Sequence, residues 1–416
     1  MNSKIHFATY LLAALLVITS FACQKGDQSS PTLSFISPLL DRAEKIQLGK
    51  EWDFVQNFYA DQVAALKADP NNADARINLA ELFIKEARIT GEHGHYYPAA
   101  LSVLENLLSS EPLTKDNEFR SLSMKAGVQL SLHHFADALE TGKVALTLNR
   151  HNAQIYGVLA DSYVEMGQYQ KAIEMADHMV SIKPDIRSYS RVSYLREIHG
   201  DYEGAVEAMI LAVKAGYPGT EETAWAMQTL GELYMLYGES EKAEQVFKAI
   251  LEQREDYPFA VSALGALALQ SGDMEKAFSI TNEAMSIIPE VGFYMQMAEI
   301  YKTGNQNTEF ESIIREIHTM LEDDVAHGHN MNLEYADLYL NLLEDSTSAL
   351  EYASKEEVKR PENIDVNRLL SKIYLVRQDF QQAKLHFTKA KRTGSKHPDL
   401  DQINQILTDH TALSAL

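Results

Sequence analysis

The 416-residue chain reads as an all-α protein, an α-solenoid of about nine helix-turn-helix repeats. Three observations predict it. Small residues recur at Ala126, Ala160, Ser193, Gly231, Gly265, Ala298, Ala336 and Ser371, with spacings of 34, 33, 38, 34, 33, 38 and 35. A second series, Ala138, Ala172, Ala205, Ala243 and Ala277, follows twelve residues behind and resumes at Ala383. Two helices cross closely only where side chains are small, so pairs at this offset imply tight hairpins. Apolar residues between these marks step by three and four, and Gly or Pro falls at the joints, as in Tyr156, Leu159, Ala160, Tyr163, Gly167 and Pro184.

In chain order, residues 1–22 have a basic start at Lys4, an apolar run from Phe7 to Ile18, and Ser20-Phe21-Ala22 before Cys23. The run is too short to span a bilayer and follows signal-peptide grammar. Cys23 is the only cysteine. Avoiding cysteine everywhere but at this boundary points to lipidation there; a soluble secreted form cleaved after Ala22 is the plainer alternative. Residues 23–38, rich in Ser, Gln, Gly and Pro, read as a flexible tether. The folded part is expected to start near Leu39. In residues 39–72, Trp52, Val55, Tyr59, Val63 and Leu66 line one face of a capping helix. The array occupies residues 73–397, and Leu400, Ile403 and Leu407 mark a C-terminal cap within 398–416.

Departures from the period are informative. Ala80 and Ala100 lie twenty residues apart instead of twelve, with Thr90 to Tyr97 read as an insert at the hairpin tip. Extra residues also lengthen the joints at Ala215 to Gly219 and Ala326 to Asn330, and Phe310 stands where a small residue is expected. Inserts on one edge of a solenoid are frequent carriers of function.

The registers of residues 153 to 186, 224 to 257 and 258 to 290 carry a resemblance to the tetratricopeptide repeat family, covering about residues 73 to 397. The resemblance implies a right-handed superhelix whose first helices line a concave face. The residues it places there include Tyr194, Trp225, Gln228, Glu232, Met235, Phe259, Met295 and Glu299. An aromatic and Met stretch rimmed by carboxylates suits an extended or helical peptide with apolar anchors and basic flanks; the plainer alternative is that Trp225 and Phe259 pack between neighbouring helices. The start of the chain resembles a bacterial lipoprotein signal. Gln24 after the cysteine implies sorting to the outer membrane or cell surface, and Cys23 to Asp27 resembles export tethers of the Bacteroidota type. Contact with a membrane is then expected through the N-terminal lipid only.

Composition bounds the chemistry. With 37 basic and 59 acidic residues the formal charge is −22, which repels phosphate backbones, so nucleic acid is not an expected partner. His93-Gly94-His95 and His327-Gly328-His329 offer imidazoles two apart, the donor type that holds Zn, Ni or Cu. The alternative reading is polar loop histidines. A phosphate-cradling loop, HExxH, GxSxG and CxxC are all missing, and the repeats leave no stretch for an enzyme domain. The expectation is therefore a non-enzymatic envelope scaffold without a cofactor. Its alternative is a metal-handling lipoprotein that docks to a transporter or surface protein.

Overall fold

The computed structural model describes residues 33–110 and 112–414. Cys23, the signal segment and most of the expected tether lie outside them.

The described chain is a run of helices. A capping helix α1 (Lys50–Ala68) precedes nine hairpins. These are α2 (Ala73–Thr90) with α3 (His93–Leu108), α4 (Lys115–Ser131) with α5 (Phe135–Leu148), and α6 (Ala153–Glu165) with α7 (Tyr169–Ile182). The next three are α8 (Ile186–Ile198) with α9 (Tyr202–Ala215), α10 (Glu221–Leu236) with α11 (Ser240–Leu251), and α12 (Pro258–Gln270) with α13 (Met274–Ile287). The last are α14 (Val291–Thr303) with α15 (Asn307–Ala326), α16 (Asn332–Asp337) with α17 (Ser346–Lys359), and α18 (Ile364–Val376) with α19 (Phe380–Ala390). Helix α16 runs on into a π-helical turn at Leu338–Leu342, and α20 (Pro398–Ser414) closes the stack.

The hairpins cross where the sequence is small. The Ser193 hydroxyl donates to the Ala205 carbonyl at 2.7 Å and Ser371 donates to Ala383 at 2.8 Å, each across its own hairpin. At Gly231 an added Cβ would sit 2.3 Å from the Phe247 ring, so only glycine permits that crossing. Asn72, Thr114, Asn152, Asp185, Thr220 and Asn363 each cap the first helix of a hairpin by accepting from its free N–H groups. Every hairpin turn also holds one residue in the left-handed region. Glycine takes that place at Gly91, Gly167, Gly200, Gly238 and Gly272, but His133, Asn305, Glu344 and Gln378 occupy it in the others.

Three expectations need correcting. Packed chain extends ahead of Leu39, because Leu33, Phe35 and Ile36 lie against the core of α2 and α3. The insert at Thr90 to Tyr97 is not a loop: it lengthens α2 and supplies the first turn of α3, leaving only Gly91-Glu92 between them. The extra residues near Ala326 likewise extend α15 to twenty residues. Phe310 is accommodated, partly buried in the cluster of Met297, Ile314 and Tyr335.

The stack coils back on itself. Tips of early hairpins dock into the joints between late ones, forming a seam between successive turns. The Asn330 amide donates to the Leu132 carbonyl at 3.1 Å, and the Ile364 amide donates to the Tyr169 hydroxyl at 2.8 Å. Asn363 Nδ2 donates to the Glu165 carbonyl across 198 residues of sequence. Arg360 binds Glu165 and, at 2.7 Å, Glu356, while Arg392 donates to the Gly167 carbonyl. At the N-terminal end, Arg42 forms a two-pronged pair with Glu86 at 2.8 and 2.7 Å. Glu51, which also binds Arg42, reaches Arg254 at 3.4 Å in the other turn. Ile46 enters the apolar cluster of Val261, Ala284 and Phe293.

Candidate functional site

The first helices of the hairpins, α2 through α14 in even numbers and the π-helical turn that continues α16, pack side by side as one row, the inner row of the coil. Eight residues of this row were expected to form a binding face, and the structure divides them. Tyr194 on α8 and Trp225 on α10 expose 41% and 47% of their surface, and Glu232 and Glu299 are also open to solvent. The other four are engaged in the fold. Gln228 is buried and donates to Glu232 Oε1 at 2.9 Å. Phe259 meets Tyr257 at 5.6 Å and Phe293 at 5.7 Å between ring centroids, where the N-terminal segment covers it. Met235 packs with the Phe247 cluster and Met295 with the Met297 cluster. Phe259 therefore follows the plainer of its two readings and Trp225 does not.

Electrostatics mark this row as an interior. Tyr194 is solvent-accessible, yet burial pushes its phenol well above the ordinary tyrosine range, helped by Asp365, Glu165 and Glu197. Asp365 lies on α18, in the following turn of the coil. Glu232 is likewise exposed but raised by burial, against a lowering hydrogen bond from Gln228.

The charges on this row are unevenly matched. Three of its central basic groups are already paired: Arg191 binds Asp161 at 2.9 and 2.6 Å, Arg187 binds Glu222 at 2.7 Å, and Lys302 binds Glu344 at 2.7 Å. Glu232 has a neutral partner only, and Glu299 forms no ion pair among the described residues. On α10 the exposed Trp225 ring and Glu232 lie about two turns apart.

The two histidine motifs, 234 residues apart in sequence, meet at the seam. The His93 and His329 rings lie 6.0 Å apart, with Tyr97 stacked on His93 at 5.4 Å. A Cβ on Gly94 would lie 3.1 Å from His327 Nδ1. Their outer members diverge: His95 bonds to the Pro38 carbonyl at 2.9 Å, and His327 turns back to the Asp323 carbonyl at 2.8 Å. Burial lowers His93 and His329 to about 4, while burial raises Asp324 to about 6 and Glu290 to about 7. Among the described residues no group of three His, Cys, Asp or Glu side chains is placed to hold a metal ion. His93 and His329, the two rings that meet, are thereby held neutral near pH 7. His133 contributes too, its Nδ1 3.0 Å from the Asn330 carbonyl.

Glu165, Glu197 and Asp365 were not read as site residues. Nothing local distinguishes them from solvated helix carboxylates, since they converge only when the coil closes.

The fold is an α-solenoid of tetratricopeptide-type hairpins, a class that serves as a scaffold for protein interaction. Residues 129–197, from the end of α4 to α8, match the tetratricopeptide repeat family model. No curated protein matches the chain. Among solved structures, it is similar to human IFIT1, a dimer with PPP-AAAA, at 10% identity over 86% of this chain and 96% of that one, with a TM-score of 0.46. Similarity to Pseudomonas aeruginosa pilF is 14% over 58% and 99%, with a TM-score of 0.40. PilW, a type IV pilus biogenesis factor, gives 16% over 58% and 94%, with a TM-score of 0.38. At such identities the likeness is one of fold.

Proposed function

We propose that the chain is a non-enzymatic scaffold of the cell envelope, lipid-anchored through Cys23 and carried outward to the outer membrane or cell surface. It holds a segment of a partner protein against the inner row of helices. The observation that supports this most is that Tyr194 and Trp225 are exposed on the first helices of their hairpins, Trp225 about two turns from Glu232 on one helix, while Glu232 and Glu299 lack cationic partners among the described residues. Large rings offer anchor area at low entropic cost, and unsatisfied carboxylates select lysine or arginine beside the anchor.

Crosslinking in native cells followed by recovery of the chain tests the reading. Wild type and Tyr194→Ala/Trp225→Ala are compared, and the double variant is expected to lose its main partner while keeping its fold. Identical partner sets would sink the inner-face assignment. Anchoring is tested separately by fractionating a Cys23→Ser variant, which is expected to leave the membrane fraction; continued membrane association refutes it.

A further inference from the structure

The seam between turns holds an open cavity. It lies where the tips of the third and fourth hairpins meet the chain that leaves α19, and its volume of about 490 Å³ is within the range of small-molecule sites. Gln168, Gln170 and Lys171 come from the start of α7, His199 from the turn after α8, and Arg392 and Thr393 from the joint before α20. Of the eight residues that line it, none is acidic and none is Ala, Val, Leu, Ile or Met.

Its surroundings are basic, in a chain whose formal charge is −22. From Phe380 to Pro398 the sequence carries Lys384, Lys389, Lys391, Arg392 and Lys396 and no acidic residue. Among the described residues Lys171 has only Gln168 Oε1 at 2.9 Å and the Tyr163 ring at 5.3 Å as partners, and Lys391 only the Phe387 ring. Lys396 stands at the rim, its Cγ 3.3 Å from where a Cβ on Gly200 would sit. Arg392 is paired with Glu362 and lies 5.0 Å from the centre of the Tyr169 ring. Carboxylates elsewhere on the surface act weakly here, because salt screens exposed charges beyond about 8 Å.

Hydrogen-bonding capacity is left over on the same surfaces. The Gln168 side chain does not cap α7, and the Tyr169 and Gln170 amides have no acceptor among the described residues. The Thr393 hydroxyl oxygen is buried without a partner. His199 Nδ1 donates to the Leu195 carbonyl at 2.7 Å, which leaves Nε2 of the neutral ring as a free acceptor. Unpaired cations beside free amides suit a phosphate ester, with its charge of about −1.5 to −2 near pH 7. Glutamine, threonine and imidazole groups, without aliphatic side chains among them, suit the hydroxyls of a sugar. We infer that this cavity binds a phosphorylated sugar, its phosphate held by Lys171, Arg392 and the α7 amides and its hydroxyls by Gln170, His199 and Thr393. The sugar is either free or the headgroup of a glycolipid. The site is separate from the inner row, and because its two sides belong to different turns of the coil, a bound ligand ties those turns together.

Calorimetry on the full-length chain carrying Cys23→Ser tests this, with three probes: glucose phosphorylated on its primary hydroxyl, glucose, and inorganic phosphate. The ester is expected to bind at least about tenfold more tightly than either of its parts. Arg392→Gln also removes a bond across the seam and can loosen the fold, so Lys171→Gln is the primary variant, expected to weaken the ester by about tenfold or more. Lys171→Arg is expected to recover it to within about threefold. Hydrogen exchange at the Ile364 amide, which bonds to Tyr169 across the seam, should slow when the ester binds wild type and not when it meets Lys171→Gln. Ester that does not bind, that binds no better than glucose or inorganic phosphate, or that binds Lys171→Gln as it binds wild type overturns the assignment, as does binding without any slowing at Ile364. Flotation with phosphatidylcholine vesicles, with and without monophosphoryl lipid A, separates the two sources. Capture by the glycolipid vesicles alone, released by the ester, assigns a headgroup; tight binding of the ester without capture assigns a free phosphorylated sugar.

Discussion

Arg360 is the side chain through which the two turns are most tightly joined, and replacing it with methionine tests the seam. The guanidinium is almost wholly buried, binds Glu356 and Glu165, and lies 4.5 Å from the centre of the Phe135 ring. Breaking a buried pair by deleting one member costs about 3–5 kcal/mol when the remaining charge is stranded. Here stranding is partial. Glu356 keeps Asn330 at 2.7 Å and Asn332 at 2.8 Å, and Glu165 is partly exposed and keeps Asn363. At about 0.5–1 kcal/mol for each of the three retained bonds, the expected loss for Arg360→Met falls from a central value of about 4 kcal/mol to about 1–2.5 kcal/mol. Urea denaturation followed by circular dichroism measures it, and a cycle with Glu165→Gln isolates the cross-turn share, expected near 1–2 kcal/mol. Hydrogen exchange adds a local reading, because the Ile364 amide is protected by the Tyr169 hydroxyl of the other turn. A loss below about 0.5 kcal/mol with additive single variants and unchanged exchange at Ile364 would falsify the seam as a source of stability.

Three further outcomes are expected. The histidine junction carries opposing pH dependences: His93 and His329, lowered to about 4, lose stability as pH falls from 6.5 toward 4, whereas Glu290 and Asp324, raised to about 7 and about 6, lose it as pH rises from the usual carboxylate range toward 7. Because His397, also lowered to about 4, and His386, also lowered, keep the same dependence elsewhere, the diagnostic is the difference from wild type: His93→Gln/His329→Gln should gain less stability than wild type between pH 4 and 6.5 in denaturant titrations, and equal gains contradict the assignment. Gln378→Gly relieves a left-handed residue at φ 60° and should stabilise by about 0.5–1 kcal/mol, while a destabilised variant would show that the turn is not strained. Trp225 is exposed and Trp52 buried, so in Trp52→Phe protein caesium should quench the remaining fluorescence more strongly than iodide at equal ionic strength; the reverse order would mean that the ring does not face unpaired carboxylates.

What could be read ahead of the structure depended on how far apart the interacting residues lie. Ser193 with Ala205 and Ser371 with Ala383 are twelve residues apart, and the crossings they form were visible as a period. Glycine marked five of the hairpin turns, but His133, Asn305, Glu344 and Gln378 take the same conformation with no compositional signal. The stretch Thr90 to Tyr97 was misjudged as a loop because helix lengthening and loop insertion look alike as a count of residues. At the inner face, exposure of Trp225 and burial of Phe259 could not be told apart locally: what covers Phe259 is Ile46 and its neighbours, more than two hundred residues away. Both histidine motifs stood out by composition, yet their meeting at 6.0 Å depends wholly on the pitch of the coil.

That pitch has a kinetic consequence. A solenoid whose units touch only their neighbours behaves as a one-dimensional chain, able to nucleate anywhere and to fray from either end. Bonds between Leu132 and Asn330, or between Tyr169 and Ile364, close loops of nearly two hundred residues, and each raises the mean sequence separation of native contacts. Folding is thereby slowed at a late step in which two turns already formed must dock. Unfolding in turn acquires a cooperativity that the same hairpins laid out with a wider pitch would lack. Fraying from the C-terminal end is checked at joints that the third and fourth hairpins hold, so resistance to proteolysis should extend to α18 and α19 rather than fade toward the terminus.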